Sequence, residues 1–265
     1  MTQQPLTLSI GGLPLSFCIR NRAMRSSISK RYKGYLKQKV RPLAAIDCAF
    51  TSTPEGGDDR VNVWQGRDGT WHARRPDFEC AWRGCTGRAR IYRSVFAFDG
   101  MLRVMLATRA LENRKALMHA AAAASGSKGF AFPGRSGSGK TTVTGLVRGL
   151  RVLNDEIVCL EADGRRPRVW ATPFWGEMGT GPAAPKPYDL ARILFLKKGA
   201  GAPACTRIDK QEALVRVMQC MCSFGKETAL AARALEVARS LVERVPAFEL
   251  HFGKDTDVAT TVAAR

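Results

Sequence analysis

The stretch "GRSGSGKTT" (Gly134–Thr142) is followed shortly by "RVLNDE" (Arg151–Glu156), and the two together decide how the chain is read. The first matches GxxxxGK[ST]. It follows an apolar run, "GFAFP", that reads as a strand and precedes helix-forming residues, which is the context a phosphate-binding loop needs. Its glycines let backbone N–H groups curl around phosphate oxygens, and the helix that follows turns its positive end toward them. The loop residues Gly134, Arg135, Ser136, Gly137, Ser138, Gly139, Lys140, Thr141 and Thr142 are therefore the expected nucleotide-binding set. Within it, Lys140 reaches the β and γ phosphates, and the Thr141 hydroxyl is suited to Mg²⁺. The expected ligands are ATP and Mg²⁺.

Asp155 follows Lys140 by 15 positions, room for about three turns of helix and one short strand. In the common P-loop ATPases and GTPases the second acidic motif comes after more intervening structure. Here one strand after the loop helix delivers Asp155 and Glu156 directly. One carboxylate is suited to hold Mg²⁺ or its water shell, the other to accept a proton from an attacking hydroxyl.

The series "LMHAAAAA … GFAFPGRSGSGKTT … RVLNDEIVCL … ATPFWGEMG" resembles the HPr kinase/phosphorylase catalytic domain and its relatives, which share a nucleotide-binding core with ATP-dependent phosphoenolpyruvate carboxykinase. The resemblance covers about Leu117–Lys198. It implies that Lys140 and Thr141 bind triphosphate and Mg²⁺, that Asp155 stands at the general base, and that Glu156 is the neighbouring metal-associated acid. It further implies that His119 is the active-site histidine of the preceding strand, with Glu177 a second carboxylate on the metal side. The family's Asp-Asp pair is Asp-Glu in this chain, and the glycine-rich signature of HPr kinases is absent downstream. The expected activity is γ-phosphoryl transfer to a hydroxyl, foremost a Ser of a protein or of a ribosomally made peptide such as a lasso peptide precursor. A nucleotide-dependent regulatory or nucleic-acid-binding protein and a small-molecule kinase are the alternatives.

The expected fold is α/β: a mixed-sheet P-loop kinase core over residues 99–265, preceded by a small β-rich domain over residues 1–98 that carries a basic segment. "LTLSIGGLPLSFCI" (Leu6–Ile19) predicts a hairpin turning at Gly11-Gly12. The segment Arg20–Arg41 has nine Lys/Arg, and its apolar residues fall at helical spacing, so it predicts an amphipathic basic helix. Four short strands follow up to Phe98, then a helix capped by Asp99. "LMHAAAAA" predicts a hairpin strand before the loop. A short helix is expected to run to Leu150, with strands near Val152, Ile157 and Val169 and at "RILFLKK". Helices at about 209–223 and 228–245 and a last strand, "AFELHF", complete the reading.

The net charge is +19, a value that normally signals an anionic partner. Residues 1–100 carry 17 Lys/Arg against 8 Asp/Glu, about half of the excess, so no single basic tail holds it. An acidic partner at the basic N-terminal segment fits this distribution. The absence of a recognised nucleic-acid motif argues against nucleic acid. The eight cysteines lack the spacing of a disulfide scaffold or a zinc site, and no run approaches the roughly 20 apolar residues of a membrane helix. These features and the absence of a signal-peptide pattern predict a cytoplasmic protein without a membrane partner. Its oligomeric state is open, a homo-oligomer included. Phe174 and Trp175 are expected to pack beside the site. Arg135, Arg192 and Lys186 are candidates for charge stabilisation.

Overall fold

The computed structural model describes residues 4–54, 56–57, 59–176, 186–225, 227–254 and 256–264. Mixed α/β architecture is present throughout, as two mixed sheets and, among the described residues, six α-helices. The chain divides into two compact units. The first runs to Arg109 and also takes in Ser223–Ala231; the second holds Ala110–Cys222 and continues from Ala232.

In the first unit, β1 (Leu6–Ile10) and β2 (Leu13–Ile19) form the expected hairpin. Gly11 (φ 61°) and Gly12 (φ 73°) supply the two left-handed positions that such a two-residue turn requires. The basic segment is not one helix. Its α1 (Arg22–Arg31) is capped by Asn21, whose side chain accepts from Met24 N, and it ends after three turns. A 3₁₀ turn (Lys33–Tyr35) and the short β3 (Leu36–Lys37) follow. Four of the segment's apolar positions still face inward: Met24, Ile28, Tyr32 and Tyr35 are buried, whereas Val40 is exposed. Next come β4 (Ala44–Thr51), β5 (Asn62–Gln65), β6 (Trp71–Arg75), β7 (Phe78–Arg83) and β8 (Thr86–Tyr92), and the sheet order is β3-β1-β2-β4-β8-β7-β6-β5. Along β4, β7 and β8 the buried residues alternate with exposed ones, so one sheet face packs and the other meets solvent.

The buried face meets α2 (Val95–Glu112), as in the edge-on contact of Phe17 with Phe98 at 5.0 Å. The helix begins four residues before Asp99, which is therefore not its cap; Ser94 Oγ accepts from Phe96 N at the true start. Asp99 is instead a buried acid inside the helix. It accepts hydrogen bonds from the Tyr32 hydroxyl, from Arg31 and, one turn along, from Arg103. Burial and the adjacent Asp99 charge raise the Tyr32 hydroxyl well above its ordinary pKa, so it stays protonated and donates.

The second unit is built on β9 (Lys115–Ser125), the strand expected at "LMHAAAAA". One edge of β9 pairs antiparallel with β10 (Lys128–Pro133); the other pairs first with β11 (Arg151–Asn154) and then with β12 (Ile157–Glu161). Between β10 and β11 lies α3 (Lys140–Leu146), which stops short of the expected Leu150. β13 (Arg168–Trp170) and β14 (Pro187–Lys198) continue the sheet, and β14 also lies parallel to β10, so β10, β9, β12, β13 and β14 close into a ring. β15 (Ala204–Arg207), which the sequence pattern did not show, pairs with β16 (Ala247–Phe252), and β16 lies parallel to β14. The late helices are α4 (Lys210–Cys220) and α5 (Thr228–Arg244), and α6 (Ala259–Ala263) closes the order.

Ala120–Ala123 are fully buried. Phe130 stands opposite Ala123, and Phe132 opposite Ala121. Both pairs belong to one core cluster with Val143 and Leu146 of α3, Leu194 of β14 and Leu250 of β16. The alanines leave the volume that the phenylalanines and the loop helix occupy, and this brings α3 close against the sheet. Buried thiols complete the interior, and burial pushes Cys80 and Cys159 up to about 12. No helix among the described residues is long and apolar enough to cross a membrane.

The Asp99 cluster yields a stability prediction. Asp99→Ala leaves the buried Tyr32 hydroxyl and two guanidinium groups without their acceptor, and is expected to lower the unfolding free energy by about 3 kcal/mol. Urea unfolding followed by tryptophan fluorescence measures it, and Asp99→Asn should cost less because an acceptor oxygen remains.

Candidate functional site

Two backbone hydrogen bonds assemble the site around one residue pair of β9. Gly134 N at the start of the loop donates to His119 O at 3.0 Å, and Ala120 N donates to Glu156 O at 3.0 Å. In register, His119 stands opposite Ile157. The P-loop and the acidic pair thus leave opposite edges of the same strand at the same level, and the separation of 15 residues in sequence collapses to the width of one strand.

The loop's glycines are where the geometry demands them. Gly137 (φ 79°) and Gly139 (φ 102°) have left-handed backbones that other residues rarely adopt. Lys140, the first residue of α3, folds back over the loop, and its Nζ donates to Gly134 O at 2.8 Å and to Arg135 O at 2.9 Å. Burial pushes its ammonium below the ordinary lysine value, against the opposing pull of Cys220, Glu156 and Asp155. The same proximity acts on Cys220, whose thiol is raised by burial and drawn back by Lys140 and Arg135. Because α3 is only seven residues long, its dipole is weak, and attraction for an anion rests on the loop amides and the lysines.

The acidic turn is set by Asn154, which is fully buried. Its Oδ1 accepts from Glu156 N at 2.7 Å and from Ile157 N at 2.8 Å, while its Nδ2 donates to Thr172 O at 3.0 Å. Thr172 in turn donates its hydroxyl to Ile157 O at 2.5 Å. Asp155, only 2% exposed, is oriented from the far side by Gly176, whose N–H donates to Asp155 Oδ1 at 2.9 Å. A Cβ on Gly176 would lie 3.2 Å from Asp155 Oδ2, so a side chain there would press on the carboxylate.

One cavity of about 680 Å³ gathers most of the expected residues: His119, Asp155 and Glu156 line it together with Arg135, Ser136, Gly137, Gly139, Lys140, Thr141 and Thr142 of the loop and its helix. Gly134 and Ser138 lie outside its lining; Ser138 Oγ is buried and has no hydrogen-bond partner among the described residues. Glu177 falls outside the described residues. Phe174 is fully buried, in keeping with packing. Two of the candidates for charge stabilisation lie elsewhere: Arg192 packs over the Phe248 ring at 4.7 Å, and Lys186 over Tyr188 at 5.4 Å.

Three further residues line the cavity or order it without having been singled out: Lys198, Gln219 and Gly176. Lys198 ends β14 and Gln219 lies in the last turn of α4, far along the chain from the loop. The only signal for Lys198 was its place at the end of the apolar run "RILFLKK", since residues at the carboxyl ends of sheet strands often line sites.

The residues present fit a hard cation. A hydroxyl at Thr141 and carboxylates at Asp155 and Glu156 share the cavity with the loop, a donor set suited to Mg²⁺. Among the described residues no group of three or more His, Cys, Asp and Glu is arranged to hold a metal alone, so an ion here would take its remaining ligands from phosphate oxygens and water. Compared with known proteins, the chain matches no family model, and no curated protein matches it.

Asn154 is the test of how the acids are held. Asn154→Ala strands two N–H groups and one carbonyl in the interior, with an expected loss of about 3 kcal/mol measurable by chemical denaturation. Asn154→Asp, which keeps the acceptor toward Glu156 and Ile157 but loses the donor to Thr172, should also destabilise the fold.

Proposed function

We propose that the protein is a Mg-ATP-dependent kinase that transfers the γ-phosphoryl group to a hydroxyl, foremost a serine of a protein or peptide. The observation that carries this reading is the meeting of Lys140 and its loop with Asp155 and Glu156 in one cavity. A loop that binds phosphate serves hydrolysis, switching or transfer alike. A buried, oriented carboxylate beside it adds a group able to take a proton from an acceptor. The likeness of the motif series to HPr-kinase-type enzymes supports the same conclusion, and with it the finer expectation of a P-loop kinase core of that type.

In this mechanism the loop amides and Lys140 hold the β and γ phosphates, Lys140 exchanging its bonds to the carbonyls of Gly134 and Arg135 for phosphate oxygens. Thr141 and Glu156 would hold Mg²⁺, which when bound neutralises charge on the phosphate oxygens. Asp155, kept in orientation by the Gly176 N–H, accepts the proton of the acceptor hydroxyl. The acceptor oxygen bonds to the γ phosphorus as the bond from that phosphorus to the β-bridging oxygen breaks, and the electron pair leaves with ADP. His119 adds a polar group to the lining of the same cavity.

The test is transfer of labelled γ-phosphate to an arrayed library of serine-containing peptides. Asp155→Asn should lower transfer by about 10²- to 10⁴-fold while ATP still binds, whereas Lys140→Ala should lose ATP binding itself. Undiminished transfer by Asp155→Asn would remove Asp155 as the base. Salt-sensitive binding to random DNA or RNA without transfer to any acceptor would instead favour a nucleotide-dependent binding protein.

A further inference from the structure

The two lysines that end β14 have different surroundings. Lys197 Nζ lies 3.0 Å from Glu249 Oε1 in an ion pair. Lys198 alternates to the opposite side of the strand, and its Nζ donates to Gly137 O, at the apex of the P-loop, at 3.0 Å. Its stem runs across Gly139, where an added Cβ would lie 2.8 Å from Lys198 Cε and 3.0 Å from Phe252 Cζ. The missing side chain at Gly139 is thus what lets Lys198 pass over the start of α3, with the Phe252 ring beside it. The ammonium reaches the cavity that Lys140 also lines. No ion pair of Lys198 forms among the described residues.

We propose that Lys198 is a second phosphate-contacting lysine, gripping the nucleotide's phosphate chain from the apex of the loop while Lys140 works from its base. The proposal rests on the nucleotide reading given above. Two features favour it over a merely structural lysine. Its present partner is a neutral carbonyl, and exchanging that for an anionic phosphate oxygen adds a charge–charge attraction to the hydrogen bond. An ammonium already paired with a carboxylate, as Lys197 is, would first have to give up that partner. The Lys198 stem also lies across Gly139, close to where the Phe252 ring approaches it, and its Nζ is already held at the loop by Gly137 O, so the ammonium is positioned before a ligand binds.

The experiment is calorimetric titration of the full chain with ATP and Mg²⁺, using wild type, K198A, K198R and K197A, with thermal melts to confirm folding. K198A should weaken ATP binding about 10- to 100-fold, the range for loss of one charge-assisted hydrogen bond. K198R should recover most of the loss, and K197A should bind as wild type does. K198A binding ATP within about twofold of wild type, against that 10- to 100-fold expectation, would overturn the role of Lys198 and leave the nucleotide reading standing. Wild type that binds no ATP at millimolar concentration would overturn the nucleotide reading, and the role of Lys198 with it.

Discussion

Every feature of the candidate site hangs from the pairing of β9 with its neighbours on both edges. His119 O receives Gly134 N from the loop, and Ala120 N reaches across to Glu156 O from the acidic turn. Each such bond contributes only about 1 kcal/mol net, but a buried strand cannot leave its N–H and C=O groups unpaired without a larger loss. A register slip of one residue on either edge would turn the paired side chains to the other face of the sheet and separate the loop from the acids. The run of alanines makes this arrangement feasible, because a strand packed on both faces at close range has no volume for larger residues where α3 and the Phe130 and Phe132 rings lie.

The cavity is a balance of opposed charges. Lys140, Lys198 and Arg135 stand with Asp155 and Glu156 around the same space. In the proposed nucleotide complex the cations would attract the phosphate chain, while the acids would repel it unless a metal ion or a proton intervened. Asn154 sets the backbone turn that carries the acids, and the Gly176 N–H holds the Asp155 carboxylate, close enough for both acids to act on Lys140. The large positive charge of the whole chain adds a long-range attraction for anions that falls with salt.

Much of this was legible in the sequence because the relevant signals are local. The loop's glycines and lysine, the strand before it, the acids one short element later and the Gly11-Gly12 turn all lie within a few residues of what they determine. Asp99 misled for the same reason: it has the composition of a helix cap, yet Ser94 starts the helix, and Asp99 turns inward because Arg31, Tyr32 and Arg103 satisfy it. The basic segment has helical spacing beyond the point where α1 ends, since Tyr32 and Tyr35 bury themselves through a 3₁₀ turn instead. Lys198 and Gln219 could not be found locally, because sheet pairing and helix packing bring them to the cavity from distant parts of the chain, whereas Gly176 lay within the quoted stretch "ATPFWGEMG" but its contact with Asp155 has no sequence signal.

The division of the chain carries a consequence for its birth on the ribosome. Ser223–Ala231 belongs to the first unit, where Gly225 bridges to Val63 and Glu227 accepts from Gln65 N at 3.2 Å. That segment is translated only after the loop, the acids and most strands of the second unit. An N-terminal unit ordinarily completes itself while the remainder is still being made. Here the edge at β5 waits for Ser223–Ala231, so these native contacts of the first unit form only after most strands of the second unit have been made.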